Sequence, residues 1–139
     1  MRSKEFIAEN AQPRIDITTD VRSVPGHERI FFEAHLNKDA DDTPAWIRAV
    51  TKPRLVAEAT CELRNGNECY VGHIQAHSEG KGYASELLKY IIGFYNKKGI
   101  NKFSAYINHN NANSKNLFSK AGFTEATKKR DGSYWEMNL

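Results

Sequence analysis

Cysteine is nearly missing from this chain: Cys61 and Cys69 are the only two among 139 residues. No second pair and no histidine cluster accompanies them, so the ligand set of a structural zinc site is lacking and no metal is expected. They flank the turn-like run RNGN and read as two reduced, half-buried thiols brought near each other across a hairpin. No apolar run approaches the roughly 20 residues of a membrane-spanning helix. The opening MRSKEFIAENAQPR carries Glu5 and Glu9 and has no apolar core, so it does not read as a secretory signal. These absences make a reducing cytoplasm the expected setting. No dense basic run points to nucleic acid, and there are no internal repeats or low-complexity linkers. The length suits one domain over residues 1–139, with 1–12 as a flexible polar tail.

What is present begins with charge. The net charge is +3, unevenly spread. Residues 1–70 carry 10 Lys+Arg against 12 Asp+Glu, and residues 71–139 carry 10 against 5. The second half therefore favours an anionic ligand, or simply has a solvated basic surface.

The hydrophobic pattern divides the chain into short elements. RIDITTDV alternates, with Ile15, Ile17, Thr19 and Val21 on one side, as a half-buried strand does. RIFFEAHL alternates through Ile30, Phe32, Ala34 and Leu36 and is read as a second strand. Thr43 and Pro44 can open a short helix through Trp46, Ile47 and Val50. Two strand-like runs, 54–64 and 68–77, flank Asn65-Gly66, a strong hairpin signal. Ala84, Leu87, Leu88, Ile91, Ile92 and Tyr95 form one helical face, and Gly99 can supply its left-handed stop. KFSAYIN is a strand, NNANSKNLFSKAGF a second short helix, and the end of the chain a hairpin. Strand, helix and strand from 68 to 108 make a βαβ unit with a parallel, adjacent pair.

The stretch HSEGKGYASELLKYI, residues 77–91, puts two glycines where a strand gives way to this helix. The first amides of a helix lack partners and sit at its positive end. Glycines let a ligand approach them, which suits phosphate oxygens, and Lys81 adds charge. The plainer reading is a tight strand-to-helix turn. The spacing fits neither a P-loop nor the Gly-x-Gly-x-x-Gly dinucleotide pattern.

Two motifs carry a family resemblance. Glu79, Gly80, Lys81, Gly82, Tyr83 and Ala84 resemble motif A of the GCN5-related N-acetyltransferases (GNAT), Arg/Gln-x-x-Gly-x-Gly/Ala after a strand. Asn111, Ser114, Leu117, Phe118, Lys120, Gly122 and Phe123 are similar to the family's motif B. The resemblance covers residues 55–139; residues 13–54 do not match the family's usual helical pair. It implies an α/β (α+β) fold: a mixed, mostly antiparallel central sheet with a splayed parallel pair, 68–77 and 102–108, flanked by helices. It also implies an acetyltransferase moving an acetyl group from acetyl-CoA, as cosubstrate, to a primary amine in a ternary complex. Backbone amides of residues 80–84 would hold the pyrophosphate. The pantetheine arm would lie along Ile74, Gln75 and Ala76, and the Ile74 amide would polarise the thioester carbonyl. Asn111 would bind that arm or order the second helix, beside Ser114. Glu79 stands where arginine or glutamine is usual, so its backbone alone would serve. Phe118 replaces a tyrosine that often protonates the leaving thiolate.

Glu68 is the expected base, matching the glutamate of the family's histone-acetylating members, with Tyr70 as a relay through water. Period-two alternation puts Glu68, Tyr70, Gly72 and Ile74 on one face and His73 on the other. Glu68 reads equally well as a solvated hairpin residue. His77 and His109 fall near strand ends and read as ordinary surface histidines. The alternative function is a CoA-binding module, or a phage structural or regulatory one, that keeps the fold without the chemistry; Ile7-Ala8-Glu9 resembles a prohead-protease site. The acceptor amine is unassigned and a homodimer is left open.

Overall fold

The computed structural model describes residues 14–19, 24–25, 27–36, 54–77 and 82–139. The expected tail over residues 1–12, the short helix expected after Thr43, and Glu79, Gly80 and Lys81 lie outside the described residues.

Seven strands form one sheet: β1 (Arg14–Thr19), β2 (Arg29–Leu36), β3 (Arg54–Arg64), β4 (Glu68–Ala76), β5 (Lys102–Asn108), β6 (Thr124–Lys128) and β7 (Gly132–Asn138). Their spatial order is β1-β2-β3-β4-β5-β7-β6. Every neighbouring pair is antiparallel except β4 and β5. Two helices cross over, α1 (Tyr83–Asn96) between β4 and β5 and α2 (Ala112–Ala121) after β5. A parallel pair needs such a crossover because its ends lie at opposite edges. The mixed, mostly antiparallel sheet of the family resemblance is therefore what the chain forms.

The local causes are readable. Asn65 and Gly66, at φ 57° and 71°, take the paired positive angles of a mirror-image turn, and the Asn67 amide bonds to the Arg64 carbonyl at 3.2 Å. Such a turn matches the twist of β3 and β4. Leu87, Leu88, Ile91 and Tyr95 of α1 are buried at helical spacing. They join Phe32, Val56, Ala59, Cys61, Cys69 and Phe103 in the core. Each large apolar side chain buried there stabilises the fold by about 1.5–3 kcal/mol. Phe118 of α2 packs edge-to-face on Phe123, ring centres 4.9 Å apart.

Three expectations need correction. The two cysteines are fully buried rather than half-buried. Cys61 pairs with Val71 and Cys69 with Leu63, so both side chains point into the core beneath α1. In β1, Ile15 packs on the core, but Ile17 is 37% exposed and Thr19 is exposed, because β1 is the sheet's edge.

The third correction concerns β4. Cys61 pairs with Val71 while Thr60 pairs with His73, which leaves Gly72 as an extra residue, a β-bulge. A bulge reverses the alternation that follows it. Ile74, opposite Ala59, therefore shares the core face with Cys69 and Val71. His73, opposite Thr60, joins Glu68 and Tyr70 on the other face. Uninterrupted alternation would have given the reverse.

Candidate active-site cleft

The bulge coincides with a second event. β4 and β5 pair from Glu68↔Lys102 to Val71↔Ala105 and then part. Each continues with its outer neighbour: β4 with β3 as far as Ala76↔Ala57, and β5 with β7 as far as Asn108↔Gly132. The sheet thus opens like a V between its two parallel strands. Gly132 makes the β5–β7 contact possible, since a Cβ there would stand 2.4 Å from the Ile107 carbonyl oxygen.

The gap runs into a cleft of about 650 Å³. Ile74, Gln75 and Ala76 line it from β4, Gly82 to Ser85 from the start of α1, and Asn113, Ser114, Asn116, Leu117 and Lys120 from α2. The His77 amide bonds to the Val56 carbonyl of β3 at 2.8 Å. Alternation along the strand sends the Gln75 amide the same way, and the amides of Ile74 and Ala76 toward the gap. Among the described residues these donors have no strand partner on the gap side.

Gly82 shapes the cleft's other end. It caps α1 at φ 75°, and among the described residues no side-chain cap bond is made to the helix start. The first helical bond runs from Glu86 to the Gly82 carbonyl, 3.0 Å, so the amides of Tyr83, Ala84 and Ser85 precede the ladder. Left-handed backbone costs a residue with a Cβ about 1–2 kcal/mol, which explains glycine here. The turn reading and the bare-amide reading of this glycine describe the same geometry.

α2 starts differently. The Asn111 side chain accepts a 3.1 Å bond from the Ser114 amide, so Asn111 orders the helix and stands outside the cleft wall. Phe118 is buried in the core and also stands outside it. Its place is fixed by packing on Phe123 rather than by the cleft. Asn113, Asn116 and Lys120 were not anticipated as wall residues. Their spacing of three and four is one stripe of a helix, a signal the motif contained.

Among the candidate bases, Glu68 lies at the paired end of the V. Ser104 Oγ donates to its Oε2 at 2.5 Å, and Lys102 Nζ stands 3.9 Å from its Oε1. Tyr70 lies under the Arg64 guanidinium, 3.8 Å from the ring centre. Burial, the largest influence, pushes its phenol above the usual tyrosine range, against the opposing pull of Arg64. It is a neutral hydroxyl rather than a base. His77 Nε2 is 2.7 Å from Glu58 Oε2, and His109 Nε2 is 2.8 Å from the Lys129 carbonyl.

A family model described as an acetyltransferase (GNAT) domain matches residues 5–124. The chain belongs to the GNAT acetyltransferase family. No curated protein matches its sequence. Among solved structures, this GNAT chain is similar to the PaiA N-acetyltransferase of Thermoplasma acidophilum, in complex with coenzyme A. The TM-score is 0.65 at 15% identity, over 80% of this chain and 61% of that one. A GNAT family acetyltransferase from Elizabethkingia anophelis, with acetyl-CoA bound, gives 0.64 at 12% identity, over 90% and 98%. The Campylobacter jejuni N-acetyltransferase PseH, in complex with acetyl coenzyme A, gives 0.61 at 15%, over 80% and 68%. At these identities the likeness is one of fold, and the chain spans 61% of the length of the Thermoplasma protein. No helix among the described residues of the GNAT chain is long and apolar enough to cross a membrane.

Proposed function

We propose that the protein transfers the acetyl group of acetyl-CoA to a primary amine by direct attack in a ternary complex. The loss of pairing between β4 and β5 beyond Val71 and Ala105, opening onto the bare first-turn amides of α1, carries this reading. Family membership supports it, as do similar folds crystallised with CoA or acetyl-CoA.

The amides of residues 80–84 and Lys81 take the pyrophosphate. The pantetheine arm replaces the missing strand contact along Ile74, Gln75 and Ala76. The Ile74 amide holds the thioester carbonyl and stabilises the oxyanion of the tetrahedral intermediate. Asn113, Asn116 and Lys120 close the cleft on its α2 side. The two reduced thiols suit a reducing compartment such as the cytoplasm.

Calorimetric titration with CoA tests the binding half and should show one saturable site. A panel of small amines and peptides, read by thiol release from acetyl-CoA, tests the transfer half. Absent heat with CoA would end the proposal. Saturable CoA binding without thiol release from any amine would favour the binding-module alternative.

A further inference from the structure

We propose that His73 is the general base of the reaction, placed there by the Gly72 bulge. The inference rests on the acetyl-transfer reading above and adds the residue that receives the amine's proton.

The bulge sits at the apex of the V, one residue past the last β4–β5 pair. It turns His73 onto the face opposite the helices, beside Ile74, whose amide points into the gap. Strand rise sets His73 about 3.3 Å along the chain from Ile74. Glu68 is six residues from Ile74, and with Gly72 bulged the two are separated by five residues of β3, about 17 Å along the strand. The His73 side chain is exposed and has no hydrogen-bond or ion-pair partner among the described residues. Of the carboxylates on its face, Glu136 stands opposite Ser104 at the paired end of the V and Glu33 lies beside His35 on β2; those on β3 and β4 are engaged. Glu58 is held by His77, Glu62 by Arg64, and Glu68 by Ser104 and Lys102. Tyr70 and Tyr106 flank the apex from β4 and β5, with Tyr106 braced 4.9 Å from Tyr134. They form a phenolic wall past which an amine can enter from the side opposite α1.

The protons balance. An acceptor ammonium gives one proton to the neutral imidazole of His73. The freed amine attacks the thioester carbon, so a C–N bond forms, the C–S bond breaks and the electron pair leaves on sulfur. The proton still carried by the attacking nitrogen passes to the thiolate. His73 returns its proton to solvent, leaving the amide, CoA thiol and one released proton.

The test is His73→Gln, an exposed position that leaves the core untouched. With an amine found by thiol release, kcat at neutral pH should fall about 10²- to 10⁴-fold, the usual reach of a general base. The KM for acetyl-CoA should stay the same. The wild-type rate should rise with pH through one inflection below the range in which the acceptor amine deprotonates. The variant should lose that inflection and gain rate only as the acceptor amine itself deprotonates. In parallel, the His73 ring resonances, identified by their absence in the variant, should move when acetyl-CoA is added. Wild-type kcat with an unchanged inflection in the variant would overturn the proposal. So would a ring signal that stays put while calorimetry shows the coenzyme bound. Lack of coenzyme binding by the wild type is a different failure, which removes the acetyl-transfer reading and His73's role with it.

Discussion

Adjacent residues on one strand can serve opposite purposes, and β4 makes the distinction testable. The Ala76 amide points into the gap, while the Gln75 amide points at β3. Proline removes the amide at either place. It is tolerated on a sheet edge where no ladder bond is lost and disruptive where one is. Ala76→Pro should therefore keep the fold and weaken CoA binding about tenfold, the scale of one hydrogen bond with its partner left unpaired. Gln75→Pro should lower the melting temperature instead. Paired calorimetry and thermal unfolding separate these outcomes; a stable Gln75→Pro with weakened CoA binding would mean that the amide directions are the reverse. Much of this site was legible in the sequence. Gly82, Tyr83, Ala84, Ser114 and the 74–76 run all meet at the cleft. Their places follow from strand period, helix start and motif order. The orientation of Ile74 and His73 was not legible under uninterrupted alternation. The one local sign of a break was a lone glycine, Gly72, inside a strand pattern. Phe118 also went astray: its motif position suggests the cleft, but its apolar ring is buried against Phe123.

At the scale of elements, the V depends on β5 being held from its far side. Beyond Ala105 it loses β4 and is paired only with β7. Within that remaining contact Gly132 leaves no room for a side chain, since an added Cβ would also approach Asn108 Cα to 2.9 Å. These are backbone atoms, so no rotamer change relieves the clash. Gly132→Ala should cost about 1–3 kcal/mol, a melting-temperature drop of roughly 5–10 °C for a domain of this size. Gly93→Ala is the counterpart: Gly93 lies within α1, and a Cβ there meets nothing within 4 Å. It should stabilise by about 0.5–1 kcal/mol, the helix preference for alanine. Thermal unfolding of the two variants should move in opposite directions; equal shifts would refute the steric account. The elements were far easier to read than this contact. Alternation and the Asn65-Gly66 turn locate β1 to β4, and the 3.6-residue period locates α1. The Gly132 requirement comes from a strand 24 residues earlier in the chain, so nothing local to the RDG turn expresses it.

For the molecule as a whole, the same burial that stabilises the core makes it sensitive to alkali. Cys61 is pushed well above the ordinary thiol range, first by its hydrogen bond with Cys69, then by burial and by the neighbouring thiol's charge. Tyr95 is pushed up chiefly by burial, and its hydroxyl has no partner among the described residues. Both groups are neutral when folded and lose protons more readily when unfolded. The unfolded chain therefore binds fewer protons once the pH passes its own thiol value, near 8.5, and its phenol value, near 10. The sign follows: this contribution is fully present below about pH 8.5 and is lost as pH rises toward the folded values. Each such group removes stability with every pH unit above its unfolded value until its folded value is reached. Urea unfolding under reducing conditions should show a flat stability from pH 7 to 8.5 and a steepening fall above it. Cys61→Ala should lower stability at pH 7 by leaving a small cavity, yet lose less between pH 8.5 and 10 than the parent. Parallel curves for the two proteins across that interval would mean that the buried thiol pair does not govern the alkaline limit.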